Sequence, residues 1–228
     1  FVKKNLISET VDFLKGVNNL NLIDYGVGKG GDIFKWRDAK IKFAYGIDYS
    51  ASNLQDDVNG ACVRYIRMLM DKNITNKLEC MFVQGDCSKS IENGDAFVES
   101  GSDKKYTDNK LTMANLINKS IFGQVIKDDI PRSMEGVIHI YEKGREGFHI
   151  GSSQFAMHYF FRSEDTVQQF IDNLKYTIRV GGFFIGTCYN GNRVLDLLLN
   201  EPEFHYRTNN NISIKLNMAE GEGEDCLL

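Results

Sequence analysis

The chain has 228 residues, of which 42% are hydrophobic and 25% are charged, a composition typical of a globular domain with a substantial core. Its formal net charge of −4 excludes a generic basic nucleic-acid binder, so any RNA-binding charge must be local and few phosphates should be neutralised. No run approaches the length of a membrane span, so no membrane association is expected. The five cysteines show no C-x-x-C spacing and are interpreted as reduced thiols.

The first part of the chain predicts a helix followed by three buried strands. The helix is indicated by residues that share one helical face: Leu6, Ile7, Thr10, Val11 and Leu14. The predicted strands are the short apolar runs 21–25, 43–48 and 80–85. A short helix is expected to begin near Gly31, and Ser50 is a plausible N-cap of the next helix.

Residues 89–145 are polar and lack clean periodicity, which predicts an insertion or loop region with short helices. A fourth strand is expected at 148–155. The clearest helix of the sequence follows, with Ser163 as its cap and apolar residues at helical spacing: Val167, Phe170, Ile171, Leu174 and Ile178. A glycine turn at 181–182 should precede a fifth strand at 183–188 and a helix around 194–199, and 211–215 is a candidate for one more strand.

Buried strands that alternate with helices predict a doubly wound α/β fold with a mostly parallel sheet, organised as one domain over residues 1–228. In such folds ligands bind outside the carboxyl ends of the strands, at the point where the strand order reverses. The residues that directly follow each predicted strand are therefore the candidates for a binding site.

The first of these junctions is a glycine-rich loop that matches two patterns. The G-x-G-x-x-G dinucleotide fingerprint is satisfied by Gly26, Gly28 and Gly31. The D-x-G-x-G-x-G loop typical of class I, Rossmann-like methyltransferases is satisfied by Asp24, Gly26, Gly28 and Gly30. A pyrophosphate favours backbone N–H groups with no carboxylate close by, whereas S-adenosylmethionine carries a cationic amine and a sulfonium. The acid beside the loop therefore favours S-adenosylmethionine.

Two further acids end the next two predicted strands. Asp48 lies 24 residues after Asp24, in the usual place for an acid that accepts hydrogen bonds from ribose hydroxyls. Asp86 ends the third strand, where an acid can accept from an adenine amino group. Aspartates also favour turns at strand ends, but three acids after three successive strands predict a cofactor site.

Four motifs give the chain a resemblance to the mRNA cap guanine-N7 methyltransferases. Residues 24–32 and 35–36 match the family's D-x-G-x-G-K-G-G-D loop and the K-W pair that follows it. Residues 152–161 match S-x-Q-F-x-x-H-Y-x-F, and residues 181–187 match G-G-Y-F-I-G-T. The resemblance covers about residues 1–88 and 146–200, and the wording of the motifs is most similar to capping enzymes of large DNA viruses.

This resemblance implies methyl transfer from S-adenosylmethionine to N7 of the cap guanine in GpppN-capped mRNA. Since that nitrogen has a lone pair and no proton, neither a catalytic nucleophile, nor a base, nor a metal is expected. The family implies that Lys3 and Gly26 hold the amino-acid end of the cofactor, with Asp48 at its ribose and Asp86 at its adenine. Gln154 and Tyr159 would line the cofactor site near the methyl group.

On the cap side, the resemblance assigns the phosphates to three cations: Lys29, Lys35 and Arg64. It places His158 against the cap guanine, so His158 and Tyr159 are expected to position the reacting groups. The family's guanine-pocket glutamate and C-terminal tyrosine have no clear counterpart in residues 201–228. The viral resemblance implies triphosphatase and guanylyltransferase domains in the same longer chain, acting in the host cytoplasm or virion, and leaves a stimulatory subunit open.

Two other functions compete with this interpretation. A methyltransferase fold that has lost turnover would act as a module that only binds capped RNA. An NAD-dependent oxidoreductase is suggested by the overlapping G-x-G-x-x-G pattern. The intact acids argue against the first alternative, and Asp86 together with the His158-Tyr159 pair argues against the second.

Overall fold

The computed structural model describes residues 2–71, 76–97, 112–200, 203–207 and 213–217. Five strands form one sheet: β1 (Asn21–Tyr25), β2 (Phe43–Asp48), β3 (Glu79–Gln84), β4 (Phe148–Gln154) and β5 (Ile178–Thr187). All four ladders are parallel, and the strand order is β3-β2-β1-β4-β5. The chain therefore runs outward from β1 to β3 and then returns to the other side of β1. This reversal places a topological switch point between β1 and β4.

Helices precede, connect and follow these strands. They are α1 (Val2–Phe13), α2 (Ile33–Asp38), α3 (Ala51–Gln55), α4 (Ala61–Met70), α5 (Met113–Ile121), α6 (Glu164–Thr177) and α7 (Gly191–Asn200). Short 3₁₀ segments lie at Asp95–Phe97, Lys127–Asp129, Arg132–Ile140 and Met157–Phe160. The predicted caps are confirmed, since Ser50 and Ser163 each accept a hydrogen bond from a backbone N–H of the first turn.

The sheet is covered on both faces, which confirms the predicted doubly wound architecture. Every residue of β1, β2 and β4 is buried, as expected of parallel strands between two helical layers. Leu22 packs on one face with Ile7 of α1 and Trp36 of α2. On the other face, Ile23 packs with side chains of the α5 and α6 layer, such as Phe170.

Residues 112–145 form an integral layer of the core. The predicted short helices are present, but buried apolar side chains such as Leu116, Ile121 and Val137 join the core of the α5 and α6 face. These residues are spread over several short segments, so no single window of the sequence shows a clear period. Residues 98–111 of the predicted insertion lie outside the described residues.

The boundary between α6 and β5 differs from the prediction. The helix ends at Thr177, and Ile178, assigned to its apolar face, instead opens β5 opposite Phe148. Ile171 is 40% exposed, whereas Asn173 and Thr177 are buried on the sheet side of α6. The predicted glycine turn at 181–182 lies inside β5 as an irregularity of the strand. The register of β4 and β5 shifts there, between the pair Phe148–Ile178 and the pair Ile150–Phe183.

The chain consists of two compact units, residues 1–187 and 188–228. The second unit contains the predicted helix, now α7, and an antiparallel pair formed by β6 (Glu203–Arg207) and β7 (Ser213–Asn217). The sequence predicted a strand near β7 but not β6. The organisation of residues 1–228 as one domain stays a prediction.

No helix in the described ranges is long and apolar enough to cross a membrane. The cysteines that these ranges contain, Cys62, Cys80, Cys87 and Cys188, are free thiols. Unpaired thiols agree with the interpretation drawn from their number and spacing.

A buried histidine ties the amino ends of three strands together. The backbone N–H of His149 donates to Asn21 Oδ1 at 2.9 Å, and His149 Nε2 lies 3.0 Å from a guanidinium nitrogen of Arg179. Because arginine is always protonated, its guanidinium donates to Nε2, while Nδ1 faces both the backbone N–H of Asn21, at 3.3 Å, and Asn21 Oδ1. Burial, and secondly the charge of Arg179, lower the pKa of His149 below its ordinary 6.5.

This pKa shift predicts a pH-dependent contribution to stability. Below about pH 6.5, His149 is protonated in the unfolded chain but still neutral in the folded protein. The free energy of unfolding therefore decreases as the pH falls from about 6.5 toward the pKa of His149 in the folded protein. The difference in melting temperature between the wild type and His149→Gln should therefore narrow from about pH 7 to pH 5. His139→Gln, at an exposed position, serves as the control for loss of a histidine elsewhere in the chain. A constant difference for His149→Gln would contradict the prediction.

Candidate active site

The glycine-rich loop after β1 is held in a conformation that only glycine adopts easily. Gly26, Gly28 and Gly30 have φ angles of +106°, +56° and +70°. A Cβ atom on Gly26 would lie 2.5 Å from Ala156 Cβ, just beyond β4, whereas nothing lies within 4 Å of the corresponding position on Gly28. The loop is thus packed tightly at its first glycine and open at its second.

The amide groups of this loop are already used inside the protein. The N–H groups of Gly26 and Val27 donate to Ile47 O at 2.8 and 3.1 Å, and Gly28 N–H donates to Asp48 Oδ2 at 2.7 Å. Gly30 N–H donates to Val27 O at 3.1 Å. Four N–H groups that a pyrophosphate would need therefore point to internal acceptors.

Asp24, at the end of the central strand, is buried under this loop. It is 2% exposed, and its Oδ1 has no hydrogen-bond partner among the described residues. Burial, and secondly the nearby carboxylate of Asp32, raise the pKa of Asp24 to about 8, while the Ser152 hydroxyl and the Lys3 ammonium oppose the rise and Asp48 adds to it. A buried acid with a free oxygen fits a cationic ligand group that would ionise it.

The two other predicted acids keep acceptor capacity for a ligand. Asp48 Oδ1 accepts from Ser50 N and Asn53 Nδ2, both at 3.0 Å, and Oδ2 accepts from Gly28 N. These are three of roughly four acceptor positions on a carboxylate, so about one remains. Asp86 Oδ1 accepts twice from Ser88, and its Oδ2 lies 3.8 Å from Lys89 Nζ. Both acids lie at the carboxyl edge of the sheet, next to the loop.

Lys3 and Lys35 meet at a buried aspartate that the sequence interpretation did not single out. Lys3 Nζ lies 3.1 Å from Asp32 Oδ2, and Lys35 Nζ lies 2.7 Å from Asp32 Oδ1. Lys3 also lies 5.1 Å from the ring centroid of Phe155, and Lys35 donates to Gly31 O at 2.9 Å. Asp32 thus anchors α1 to the glycine loop. The only signal for this in the sequence was its place at the end of the loop motif.

Gln154 ends β4 within a short chain of hydrogen bonds. Its Nε2 donates to Ser152 Oγ at 3.2 Å, and its Oε1 accepts from Thr187 Oγ1 at 3.0 Å. Ser152 is fully buried and is the register partner of Asp24. The chain of bonds therefore runs from the central acid to the end of β5, and Ser152 is a further member that the sequence did not identify.

The predicted acceptor residues lie directly beyond β4. Phe155 has a φ of +62°, a left-handed conformation that costs a bulky residue about 1–3 kcal/mol. His158 and Tyr159 follow in the 3₁₀ segment Met157–Phe160 with their ring centroids 4.1 Å apart, and Tyr159 is 70% exposed. Phe160, the third ring of this run, is buried. The exposed rings thus stand at the same sheet edge as the acids.

Lys29 and Arg64 are the other two residues predicted to bind phosphate. Lys29 Nζ lies 3.9 Å from Asp56 Oδ2, and the Arg64 side chain donates from Nε to Asn59 O at 3.1 Å. The glycine loop packs against the start of α4, since a Cβ on Gly30 would lie 3.1 Å from Ala61 Cα. Lys29 and Arg64 therefore lie on neighbouring elements, and their contact with phosphate stays a prediction.

The edge as a whole presents a buried acid with a free oxygen, two acids with spare acceptors, and exposed aromatic rings. Such a set suits a ligand with a cationic end and several hydroxyl or amino donors, beside a planar acceptor. No group of three or more His, Cys, Asp and Glu side chains suited to a metal occurs among the described residues.

Comparison with known proteins identifies the family. The sequence model of the mRNA (guanine-N(7))-methyltransferase domain matches residues 1–99 and 101–222. The mRNA cap guanine-N(7) methyltransferase of Caenorhabditis briggsae is 25% identical over 205 residues, which are 89% of this chain and 40% of that protein. The mRNA cap guanine-N(7) methyltransferase 1 of Arabidopsis thaliana is 25% identical over 177 residues, which are 78% of this chain and 35% of that protein.

Among solved structures, an S-adenosylmethionine-dependent methyltransferase from Clostridium acetobutylicum aligns with a TM-score of 0.49 at 13% identity, covering 90% of this chain and 58% of that one. The chain spans between 19% and 40% of the length of the curated relatives it matches. The match to the family's sequence model, in contrast, extends over nearly the whole chain and includes the glycine loop, the three acids and the residues beyond β4. The chain belongs to the mRNA (guanine-N(7))-methyltransferase domain family.

Proposed function

We propose that this chain transfers a methyl group from S-adenosylmethionine to N7 of the guanine that caps mRNA. The single observation that supports this most directly is Asp24, an acid buried under the glycine loop with an oxygen that lacks a partner. A free carboxylate oxygen at this point fits the amine of an amino-acid ligand. Family membership supplies the substrate class.

The residues present fit the cofactor end to end. Asp24 would take its amine, and Lys3, paired with Asp32 at 3.1 Å, would face its carboxylate. The remaining acceptor of Asp48 would bind a ribose hydroxyl, and Asp86 Oδ2 would accept from the adenine amino group. When bound, S-adenosylmethionine supplies an activated methyl group on a sulfonium.

The geometry disfavours the dinucleotide alternative. In an NAD-dependent enzyme the loop N–H groups would bind the pyrophosphate, but here those of Gly26, Val27 and Gly28 donate to Ile47 and Asp48. A phosphate would also leave the free oxygen of the buried acid beneath the loop without a cationic partner. The same residues that fit an amino-acid ligand therefore oppose a dinucleotide.

The protein's own part in the reaction is to position the acceptor and exclude water. Guanine N7 has a lone pair and no proton, so no side chain has to remove one. His158 and Tyr159 would orient the purine at the edge where β4 ends, and the buried chain from Asp24 to Thr187 keeps that edge rigid. Orientation of this kind contributes about 7–11 kcal/mol to lowering a barrier.

A turnover-deficient module that binds capped RNA is the second candidate. Retention of the Asp24 carboxyl disfavours it, because a buried acid with an unpartnered oxygen is destabilising unless a ligand uses it. We further propose that the GpppN cap is made by triphosphatase and guanylyltransferase domains of the same polypeptide, in the host cytoplasm or virion.

The direct test is methyl transfer from labelled S-adenosylmethionine to GpppG-capped RNA, uncapped RNA and GTP, followed by nuclease mapping. Label should appear as 7-methylguanosine on the capped RNA and be absent from the uncapped RNA. Cofactor binding without transfer would favour the RNA-binding module. Absence of cofactor binding would refute the proposal and reopen the nucleotide-binding alternatives.

Replacing His158 should impair use of the acceptor but not of the cofactor. Loss of one polar contact to the purine predicts a fall of about 10- to 100-fold in kcat/KM for capped RNA with His158→Ala. The dissociation constant of S-adenosylhomocysteine, measured by calorimetry, should stay within about twofold of wild type, a change of under 0.5 kcal/mol. His139→Ala is the matched control at an exposed position outside the site. Full activity of His158→Ala would show that the purine lies elsewhere.

Cofactor binding should release a proton from Asp24. With a pKa of about 8, Asp24 is mostly protonated at pH 6.5 in the free protein, and a bound ammonium would ionise it. Calorimetry with S-adenosylhomocysteine in buffers of different ionisation enthalpy should show release of nearly one proton at about pH 6.5, and affinity should rise with pH toward about 8.

The isosteric Asp24→Asn variant is the control for this measurement. It should release no proton and bind the ligand more weakly. It should also melt at a higher temperature at neutral pH, because ionisation of the unfolded Asp24 between its ordinary 3.8 and about 8 destabilises the wild type. Equal proton release by both proteins would contradict the assignment.

A further inference from the structure

A buried amide side chain on α6 forms hydrogen bonds with the loop that follows Asp86. Asn173 is 1% exposed and lies in the middle of α6, on the side that faces the sheet. Its Nδ2 donates to Cys87 O at 2.9 Å and to Lys89 O at 2.8 Å, and its Oδ1 accepts from Ile91 N at 2.9 Å. One side chain thus makes three bonds to the backbone of residues 87–91.

The amide of Asn173 has no capacity left for anything else. A primary amide offers two donors and about two acceptor positions. Both donors are used by the loop carbonyls, and Oδ1 accepts from Gln169 Nε2 at 3.4 Å as well as from Ile91 N. Because every group is satisfied in a buried site, this arrangement specifies one loop conformation rather than several.

The two carbonyls that accept from Asn173 belong to the residues on either side of Ser88, which orients Asp86. Ser88 donates to Asp86 Oδ1 from its backbone nitrogen at 3.0 Å and from its Oγ at 2.6 Å. Cys87 and Lys89, whose carbonyls Asn173 holds, are the immediate neighbours of Ser88. Fixing both neighbours fixes the Ser88 donors, and these in turn leave Asp86 Oδ2 as the oxygen available to a ligand.

A second buried asparagine touches the same loop without reaching this turn. Asn118 of α5 donates to Ile91 O at 3.1 Å and accepts from the Tyr45 hydroxyl at 3.3 Å. Asn118 thus restrains the loop at Ile91, whereas Cys87 and Lys89, the neighbours of Ser88, are held by Asn173. The orientation of Asp86 therefore depends on α6 rather than on α5.

We propose that Asn173 is a positioning residue for recognition of the cofactor's purine, acting through Ser88 and Asp86. The inference rests on the proposed function, in which Asp86 accepts from the adenine amino group. It adds that selectivity for that amino group is set by a side chain that touches no ligand and lies on the helix following β4.

The test compares two ligands that differ at one purine substituent. S-adenosylhomocysteine has the amino group, and S-inosylhomocysteine has a carbonyl oxygen in its place. The wild type should bind the adenosyl compound more tightly by about tenfold or more, since a hydrogen bond to a carboxylate is gained and a repulsion avoided. A merely structural residue would weaken both ligands alike, so the ratio of the two dissociation constants reports positioning.

In Asn173→Asp a carboxylate oxygen replaces the nitrogen that faces Cys87 O and Lys89 O, and the loop should shift. The ratio should fall to within about threefold of unity, under 1 kcal/mol of selectivity. Asp86→Asn should lower it similarly, and the double variant should lower it no further. If Asn173→Asp does not fold, Asn173→Ser, which leaves room for water, is used for the same measurement.

Thr177→Val is the matched control. Thr177 is fully buried one turn further along α6, and its hydroxyl contacts the Tyr25 hydroxyl and donates to the backbone carbonyl of Asn173 at 2.7 Å, without reaching the loop. This variant should melt at a lower temperature and keep the wild-type ratio. A wild-type ratio in both Asn173 variants, with a collapsed ratio in Asp86→Asn, would overturn the inference and leave the proposed function intact. No preference in the wild type would overturn the role of Asp86 and that of Asn173 with it.

Discussion

The burial of one carboxyl group at the end of the central strand constrains the rest of this edge of the protein. Asp24 lies under a loop whose first glycine has no room for a Cβ atom beside Ala156, so the loop closes over the acid rather than opening to water. Desolvation keeps the acid largely protonated until a cation approaches. If the proposed cofactor binds here, its binding and the ionisation of Asp24 are coupled, and the free protein gives up some stability to keep the site ready.

Helix α6 determines how the parts of the site lie relative to each other. The Thr177 hydroxyl contacts the Tyr25 hydroxyl next to Asp24, and Asn173 holds the loop of Asp86. Phe170 stacks on Phe160 with ring centroids 4.2 Å apart, which fixes the segment that contains His158. One helix thus supports the strand that ends at Asp24, the loop of Asp86 and the segment of His158 together. A site supported this way holds its geometry better than one built from loops alone.

The sequence predicts those features that have a local signal. The three acids follow recognisable strands, and the Ser163 cap directly precedes a strong helical period, so both were placed correctly. The end of α6 was predicted wrongly, because Ile178 continues the helical period and only its pairing with Phe148 assigns it to β5. Polar residues on an apolar helix face, such as Asn173, are a signal that could have been used, since a buried amide needs partners.

Contacts between distant segments have no local signal. The ion pair of Asp32 with Lys3 depends on α1 packing against the end of the glycine loop, 29 residues away in the sequence, and no local periodicity specifies this contact. The same holds for Ser152, which is a candidate only once β4 is known to pair with β1. The three acids at the sheet edge could therefore be located from the sequence, whereas the residues that support them required the fold.

The charge balance of the site limits how it can recognise RNA. Lys3 and Lys35 share the carboxylate of Asp32, and Lys29 lies 3.9 Å from Asp56. These pairs reduce the positive potential at the edge, in agreement with the net charge of −4. Few phosphates can then be neutralised, so electrostatic attraction to the backbone contributes little affinity. For the proposed substrate, recognition must come mainly from stacking and polar contacts with the cap guanine, and the exposed ring of Tyr159 is placed to supply such contacts.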